Sequence, residues 1–236
     1  IINNFKVNCK KRSELKELMD DLDCDGTVVD QSLAELDTIN YWLGGDWVSL
    51  KGIKKLIDKN KAPFSIIDLG CGSGTLLAQM ARKYQDQLNS GVGIDANAYI
   101  LQYARDAQAA FKQLSFIDVN VLDAAEKDFN CDILHASLFL HHFNHDELVM
   151  LFKIFRHQAS QGMVISDLHR HWLAYYSIKY LTQWFSKSAM VQYDGPLSVV
   201  RGFRRKEWIR IFEAAGINDY QIRWKWAFRW QIIIKF

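Results

Sequence analysis

Residues 64–84 read FSIIDLGCGSGTLLAQMARKY, and this stretch decides the fold. Residues 64–69 are mostly apolar and rich in β-branched side chains, which predicts a strand buried on both faces. Glycines then occupy every second position from 70 to 74, and apolar residues follow with helical spacing. A strand that turns through glycines into a helix lets a ligand approach bare backbone beside the helix N-terminus. The stretch therefore predicts a ligand site at the end of this first strand.

The spacing of the glycines restricts the class of ligand. A dinucleotide-binding turn would need a third glycine at position 75, where this chain has Thr75. A phosphate-binding P-loop needs Gly-Lys-Ser/Thr, which is absent here. The sequence DLGCGSG at 68–74 instead resembles motif I of the class I S-adenosylmethionine-dependent methyltransferases. A tight turn without a ligand is the alternative interpretation.

The resemblance implies S-adenosylmethionine as the cofactor and assigns residues to it. Asp68 would help to hold the ammonium group, directly or through water. Asp95, at the end of the second strand, is placed to accept hydrogen bonds from the ribose hydroxyls. Asp123 matches the acid that contacts the adenine amino group, with Asp118 and Asp128 as competitors. The complete expected set is Asp68, Gly70, Cys71, Gly72, Gly74, Asp95, Ala96, Leu122, Asp123, Ala124, Ala136, Ser137 and Leu138.

Composition sets broad limits on the protein class. The chain has 236 residues, enough for one domain with a full core, and a net charge of only +2, which does not call for nucleic acid or an anionic membrane. No apolar run has membrane-spanning length. The four cysteines lack metal-ligand spacing and favour a reducing, cytoplasmic environment. Because the sequence begins with Ile1, we expect its numbering to start after a segment that is not included.

From residue 64 onward, strand and helix patterns alternate. This pattern and the resemblance predict a Rossmann-like α/β fold: a seven-stranded, mostly parallel sheet with an antiparallel C-terminal hairpin. We expect a single domain over 1–236, with an N-terminal helical cap at 1–62, a core at 63–236 and a lid at 170–200. Cap helices are predicted at 13–22 and 31–43 and from residue 49, and strands at 64–69, 91–94, 114–121, 132–139, 162–167 and within 220–236.

A histidine pair follows the fourth strand, in CDILHASLFLHHF at 131–143. This segment resembles motif IV of small-molecule methyltransferases, including quinone-biosynthesis types, and lacks the Asn/Asp-Pro-Pro-Tyr/Phe sequence of enzymes that methylate base amino groups. Because an imidazole titrates near neutrality, His141 or His142 could take the proton of a phenol, with His169 as the alternative base. A role in helix capping or backbone hydrogen bonding is equally open for each.

The histidines raise the question of a metal. His169 and Arg170 close the fifth strand with Asp167, and two loop ends with histidines could in principle bind a cation. Carboxylate ligands at helical spacing are missing, so we expect no metal.

The segment WLAYYSIKYLTQWF at 172–185 is apolar almost all round. Its aromatic side chains could stack on a planar, apolar acceptor; docking on a membrane surface and ordinary core packing are the alternatives. Basic residues at 201–205 suggest an acidic or phenolate substrate, or only a solvated face. The expected acceptor-binding residues are Arg170, Trp172, Tyr176, Trp184 and Arg201.

These features predict an S-adenosylmethionine-dependent enzyme that O-methylates a phenolic or quinol-like apolar small molecule. C-methylation of a similar ring, a protein or RNA methyltransferase, and a non-catalytic cofactor-binding partner remain alternatives. We expect a small-molecule acceptor as partner, no DNA and no stable membrane insertion. A homodimer is left open.

Overall fold

The structure is a computed structural model that describes residues 9–57, 62–126 and 129–236, without the side chains of 124–126. Its helices are α1 (Gly26–Trp42), α2 (Gly45–Ile53), α3 (Thr75–Lys83), α4 (Ala98–Ala107), α5 (His145–Gln158), α6 (Trp172–Phe185), α7 (Ala189–Arg201) and α8 (Arg205–Ala215). Its strands are β1 (Phe64–Leu69), β2 (Leu88–Asp95), β3 (Leu114–Asp118), β4 (Cys131–Ser137), β5 (Ala159–Leu168), β6 (Tyr220–Lys225) and β7 (Arg229–Lys235). Among these helices, none is long and apolar enough to cross a membrane.

The strands form one sheet in the order β3-β2-β1-β4-β5-β7-β6. The first five strands pair in parallel, and β7 runs antiparallel to both β5 and β6. The predicted fold class is confirmed. In the register, Asp68 of β1 lies beside Gly93 of β2 and His135 of β4. The carboxyl ends of these three strands therefore meet at one edge of the sheet.

Apolar side chains cover both faces of the sheet. Helices α5 and α8 bury aromatic residues such as Phe152 and Trp208 against one face. Helices α2 and α3 cover the other, where Ile66, Ile133 and Val164 pack against Leu77. Burial on both faces explains why these strands appear as continuous apolar runs in the sequence.

Local signals locate several elements correctly. Strand β1 has the predicted bounds. Helix α5 begins at a capping box, in which the Glu147 backbone N–H donates to Asn144 Oδ1 (3.0 Å) and the Asn144 backbone N–H donates to Glu147 Oε2 (2.7 Å). Helix α8 ends at Gly216, which adopts the left-handed conformation with φ +72°.

The predicted helix at 13–22 is wrong. Only a 3-10 turn forms, at Leu18–Asp20, and the side chains of Leu15 and Leu22 are 65% and 48% exposed. The backbone N–H groups of Leu18 and Met19 instead donate to the carboxylate of Asp194 on α7. These tertiary hydrogen bonds replace the helical ones that the apolar pattern suggested.

Other N-terminal bounds differ from the prediction, and one helix was missed. Helix α1 begins at Gly26, and α2 begins at Gly45 instead of residue 49, which leaves Ser49 buried inside it. The sequence did not predict α7, whose interior contains Pro196 after a glycine. Both residues disfavour helices, so the helical pattern was hidden.

The contact between α2 and the sheet is unusually close at Gly52. A Cβ atom there would lie 2.4 Å from Cγ1 of Val164. We expect Gly52→Ala to lower the free energy of unfolding by about 1–3 kcal/mol, because the added methyl group overpacks the interface. In urea denaturation, the double variant Gly52→Ala/Val164→Ala should lose less stability than the sum of the two single changes. Strict additivity would contradict this packing.

Candidate active site

A cavity of about 1500 Å³ opens at the carboxyl ends of the parallel strands. Typical small-molecule sites enclose about 300–1,000 Å³, so this cavity has room for a cofactor and an acceptor together. Its walls come from the glycine turn, the ends of β4 and β5, α1, α6, α7 and the β6–β7 turn.

The glycine turn brings backbone to the cavity wall. Gly70 has φ +65°, and a Cβ atom there would lie 2.1 Å from the ring of Phe139. The Gly72 N–H donates to Asp95 Oδ2 at 3.2 Å, and the Asn97 N–H donates to Asp95 Oδ1 at 3.1 Å. Burial raises the pKa of Asp95. Asp95 thus lies between the glycine turn and the start of α4, on the cavity wall.

Asp68 is held by a partner that the sequence analysis missed. Nδ1 of His135 lies 2.6 Å from Oδ1 of Asp68, and both side chains are buried. Because a carboxylate can only accept, the imidazole donates this hydrogen bond. The two residues are register partners on β1 and β4, which is visible only once the strand order is known.

The opposite end of the cavity differs from the prediction at Asp123. That side chain is exposed and does not line the cavity, whereas Asn120 and Leu122 do. The Asp123 N–H donates to the Asn120 carbonyl at 2.9 Å, which closes a turn that directs position 123 outward. Asn120 is therefore the better candidate for contact with the adenine. The side chain of Ala124 lies outside those that the structure describes.

The remaining expected cofactor residues divide into two groups. Gly74 is packed toward Phe116, and Ala136 is buried in the core beneath α5 and α8, so neither faces the cavity. Leu138 has φ +52°, and this turn after β4 brings the chain to the wall. The members that line the cavity are Asp68, Gly70, Cys71, Gly72, Asp95, Ala96, Leu122, Ser137 and Leu138.

His141 is flanked by carboxylates on both ring nitrogens. Nδ1 lies 2.8 Å from Asp167 Oδ1, and Nε2 lies 3.5 Å from Glu17 Oε1. Burial alone would lower the pKa of His141, but the charges of Asp167 and Glu17 raise it to about 9. His141 is thus an imidazolium at neutral pH, which contradicts the expectation that it serves as a neutral base.

Among the described residues, Asp20 is the carboxylate within ion-pair distance of His142. Nδ1 lies 2.5 Å from Asp20 Oδ1, and the side chain is 24% exposed. Burial would raise the pKa of Asp20, but hydrogen bonds from His142 and Arg201 hold it far below its ordinary value. With its Nδ1–H donated to Asp20, the neutral ring keeps Nε2 as the nitrogen that can accept a proton.

Two of the three carboxylates that face the histidines, Glu17 and Asp20, come from residues 12–20, which we call the N-terminal strap. The strap is bound to α7: Ser198 Oγ donates to Glu17 Oε2 at 2.7 Å, and Arg201 Nη1 donates to Asp20 Oδ2 at 2.5 Å. The Arg12 side chain donates to the Arg201 carbonyl at 2.6 Å. No local pattern indicated this contact, because the partners lie more than a hundred positions apart.

Within the described residues, Glu17, His141 and His142 are the set whose ligand atoms would fit a metal ion, all within 4.8 Å of one another. The guanidinium of Arg201 lies 3.4 Å from Glu17 Oε1 and binds Asp20 as well. This guanidinium already supplies positive charge to the carboxylates and would repel a divalent cation. We therefore assign no metal to the set.

Two expected residues on the β5 loop are placed away from the cavity wall. The Arg170 guanidinium is buried and binds the Cys9 and Gly202 carbonyls and Glu207, so it holds the fold together and is not free for an acceptor. Burial, with smaller contributions from His171, Arg204 and Arg170, lowers the pKa of His169 to about 4. Its ring packs against Trp230, with centroids 4.8 Å apart.

The aromatic side chains of α6 also differ from the prediction. Trp172 and Trp184 are 57% and 76% exposed, and Tyr176 stacks on Tyr180, so none of the three expected residues lines the cavity. The helix turns a different face inward, formed by Ala174, Ser177, Ile178 and Leu181. Arg201 lines the cavity, and its contact with an acceptor stays a prediction.

Comparison with known proteins agrees with this geometry. A family model described as a methyltransferase domain matches residues 60–216. The carboxy-S-adenosyl-L-methionine synthase of Sulfurimonas denitrificans is 28% identical over 173 residues, covering 68% of this chain and 72% of that protein.

Solved structures share the fold. The plantazolicin methyltransferase BpumL, in complex with S-adenosylhomocysteine, superposes with a TM-score of 0.65 at 14% identity, over 88% of this chain and 95% of its own. Human N-acetylserotonin methyltransferase, in complex with S-adenosylmethionine, superposes with a TM-score of 0.59 at 18% identity, over 88% of this chain and 59% of its own. An O-methyltransferase family protein from Burkholderia thailandensis superposes with a TM-score of 0.60 at 20% identity, over 88% of this chain and 59% of its own.

The position of Asp95 leads to a test of cofactor binding. We expect calorimetry to show binding of S-adenosylmethionine, and Asp95→Ala to weaken it by about 1–3 kcal/mol, because the ribose hydroxyls lose their acceptor. Asp118→Ala is the matched control, since Asp118 is the exposed register partner of Asp95 on β3. Equal affinities for wild type and Asp95→Ala would place the ribose elsewhere.

The two carboxylates around His141 predict a dependence of stability on pH. The pKa of His141 is about 9 in the folded protein and about 6.5 when the chain is unfolded. The stabilisation by its two carboxylates is therefore complete below pH 6.5 and is lost as the pH rises to 9. Urea denaturation should show a loss of up to about 3 kcal/mol over this range. His141→Gln should remove most of this dependence of the free energy of unfolding on pH. His157→Gln, at an exposed position, should keep it. An equal slope in all three proteins would contradict the assigned imidazolium.

Proposed function

The chain belongs to the family of methyltransferase domains and uses S-adenosylmethionine, and we propose that it methylates a hydroxyl group on a small, apolar, phenolic or quinol-like acceptor. The observation that supports this proposal is the Asp20–His142 pair on the wall of the cavity. A carboxylate that holds Nδ1–H leaves Nε2 free to take a proton from the attacking oxygen.

In this mechanism the protein aligns the reactants and removes one proton. S-adenosylmethionine, when bound, supplies the methyl group on its sulfonium, and the glycine turn with Asp68 and Asp95 would hold it. The acceptor hydroxyl would lie between the sulfonium and Nε2 of His142, and attack by its oxygen would release the proton to that nitrogen. Asp20 stabilises the imidazolium that forms.

His141 takes a different role from its neighbour. Its ring lies 4.4 Å from that of His142, and Asp167 and Glu17 hold it as a cation. Because both of its ring nitrogens face carboxylates, His141 is not available as the base, and His142 takes that role in the proposed mechanism.

Part of the cavity wall is apolar. This part includes Leu168, Ala174, Ile178, Phe203 and Phe228, next to the histidine pair. Such a wall favours an apolar molecule and excludes water from the reacting oxygen. The N-terminal strap and its carboxylates also cover the site, which disfavours the broad, basic groove that an RNA would need.

Two alternatives share the site. Methylation of a ring carbon would use the same base and geometry. Synthesis of a carboxylated S-adenosylmethionine is suggested by the 28% identical relative. Product analysis by mass spectrometry and NMR separates the three outcomes, since only O-methylation leaves a methoxy group on the acceptor.

The test is a variant at the proposed base. With a panel of phenols and labelled S-adenosylmethionine, we expect His142→Gln to lower the rate by about 10²–10⁴ while its affinity for S-adenosylhomocysteine stays unchanged. The residual rate should recover at higher pH, where the phenol ionises by itself. His157→Gln serves as the control. A His142→Gln enzyme with the wild-type rate would exclude His142 as the base.

A further inference from the structure

A buried cation stands at the start of β7. The side chain of Arg229 lines the cavity, yet the residue is only 2% exposed. Among the described residues, neither Nε nor Nη1 of Arg229 has a hydrogen-bond partner. Within the part of the chain that the structure describes, no carboxylate lies within 4.0 Å of its guanidinium. A buried guanidinium without partners is costly, so it is rarely retained for structure alone.

The two carboxylates whose charges act on Arg229, Asp46 and Asp167, are already hydrogen-bonded to other groups. Asp46 accepts hydrogen bonds from the side chains of Asn40 and Gln79. Asp167 accepts from His141 and from the backbone of Leu168. Burial lowers the pKa of Arg229 to about 10, and these two carboxylates oppose that shift only from a distance. Arg229 therefore remains charged at neutral pH and keeps unused donors.

The fold makes room for this guanidinium. Gly45, the first residue of α2, lies against it: a Cβ atom there would be 2.7 Å from Cζ of Arg229 and 2.0 Å from Oδ1 of Asn40. Arg229 is thus seated in a recess between α2 and the sheet, and it lines the same cavity as Asn40.

We infer that Arg229 is a carboxylate-binding subsite of the cavity. A planar guanidinium matches a carboxylate in a two-point hydrogen-bonded pair. The acidic residues that share the cavity, including Glu17, Asp37 and Asp194, disfavour the higher charge of a phosphate. The carboxylate can come from the methionine part of the cofactor or from an acid group on the acceptor, and the second source rests on the proposed function.

Calorimetry with two cofactor fragments tests the first source. S-adenosylhomocysteine carries the methionine carboxylate, whereas 5′-methylthioadenosine has the same adenosine and thioether without it. If Arg229 binds that carboxylate, Arg229→Met should lower the affinity for S-adenosylhomocysteine about 10- to 100-fold and leave the affinity for 5′-methylthioadenosine unchanged. Arg229→Lys keeps the charge but cannot form the two-point pair, so its affinity for S-adenosylhomocysteine should lie between those of wild type and Arg229→Met.

The acceptor source is tested in the complex with S-adenosylhomocysteine. If the acceptor supplies the carboxylate, Arg229→Met should leave the affinity for S-adenosylhomocysteine unchanged. It should lower the affinity for 4-hydroxybenzoate about tenfold or more and leave the affinity for phenol unchanged. Arg223→Met, an exposed arginine on the same hairpin, is the matched control for both experiments. The His142→Gln experiment could contradict the proposed base while Arg229→Met still shows the selective loss of affinity for a carboxylate ligand. In that case the subsite stands independently of the proposed function.

Thermal unfolding supplies a second readout. Removing an unpaired buried charge should leave the ligand-free melting temperature of Arg229→Met equal to or above that of wild type. The inference is overturned if neither carboxylate ligand loses affinity. It is also overturned if Arg229→Met fails to fold, because the guanidinium would then have partners within the protein.

Discussion

The attachment of the N-terminal strap to α7 is the interaction on which the candidate active site depends. Asp194 accepts from the strap backbone and Arg201 binds Asp20, so the strap adds two carboxylates, Glu17 and Asp20, to the Asp167 carboxylate that already faces the histidine pair. One histidine receives a carboxylate on each nitrogen and is held as a cation. Among the described residues, the other forms an ion pair with one carboxylate through Nδ1, which leaves Nε2 as the nitrogen that can accept a proton. Two identical side chains thereby acquire different roles from their surroundings, which is the usual way in which acid and base functions are separated.

The two halves of the cavity are built differently. The half that we propose for the cofactor is formed by the glycine turn and by the ends of β1, β2 and β4, which are neighbours in the sheet. The acceptor half combines α6, α7, the strap and the β6–β7 turn, which meet only in three dimensions. Variation in the second half would change the acceptor and leave the cofactor chemistry intact, as expected of functional sites placed on a common fold.

The same division explains what the sequence could predict. The strand, the glycine turn and the capping box at Asn144 depend on neighbours within a few residues. The contact between His142 and Asp20 spans 122 positions and has no local signature. In the strap, an apolar spacing suggested a helix, but hydrogen bonds to Asp194 prevailed. In α6, an apolar surface on every side left the inward face ambiguous, and the smaller residues, beginning with Ala174, face the cavity.

The most direct test of the account is a crystal structure with S-adenosylhomocysteine and a phenolic acceptor that the enzyme methylates. We predict that the acceptor oxygen lies within about 2.6–3.2 Å of Nε2 of His142 and faces the sulfur of the cofactor product. Asp20 should remain on Nδ1 of the same ring. An acceptor oxygen placed against His169, or away from both histidines of the pair, would contradict the proposed base and the role of the strap.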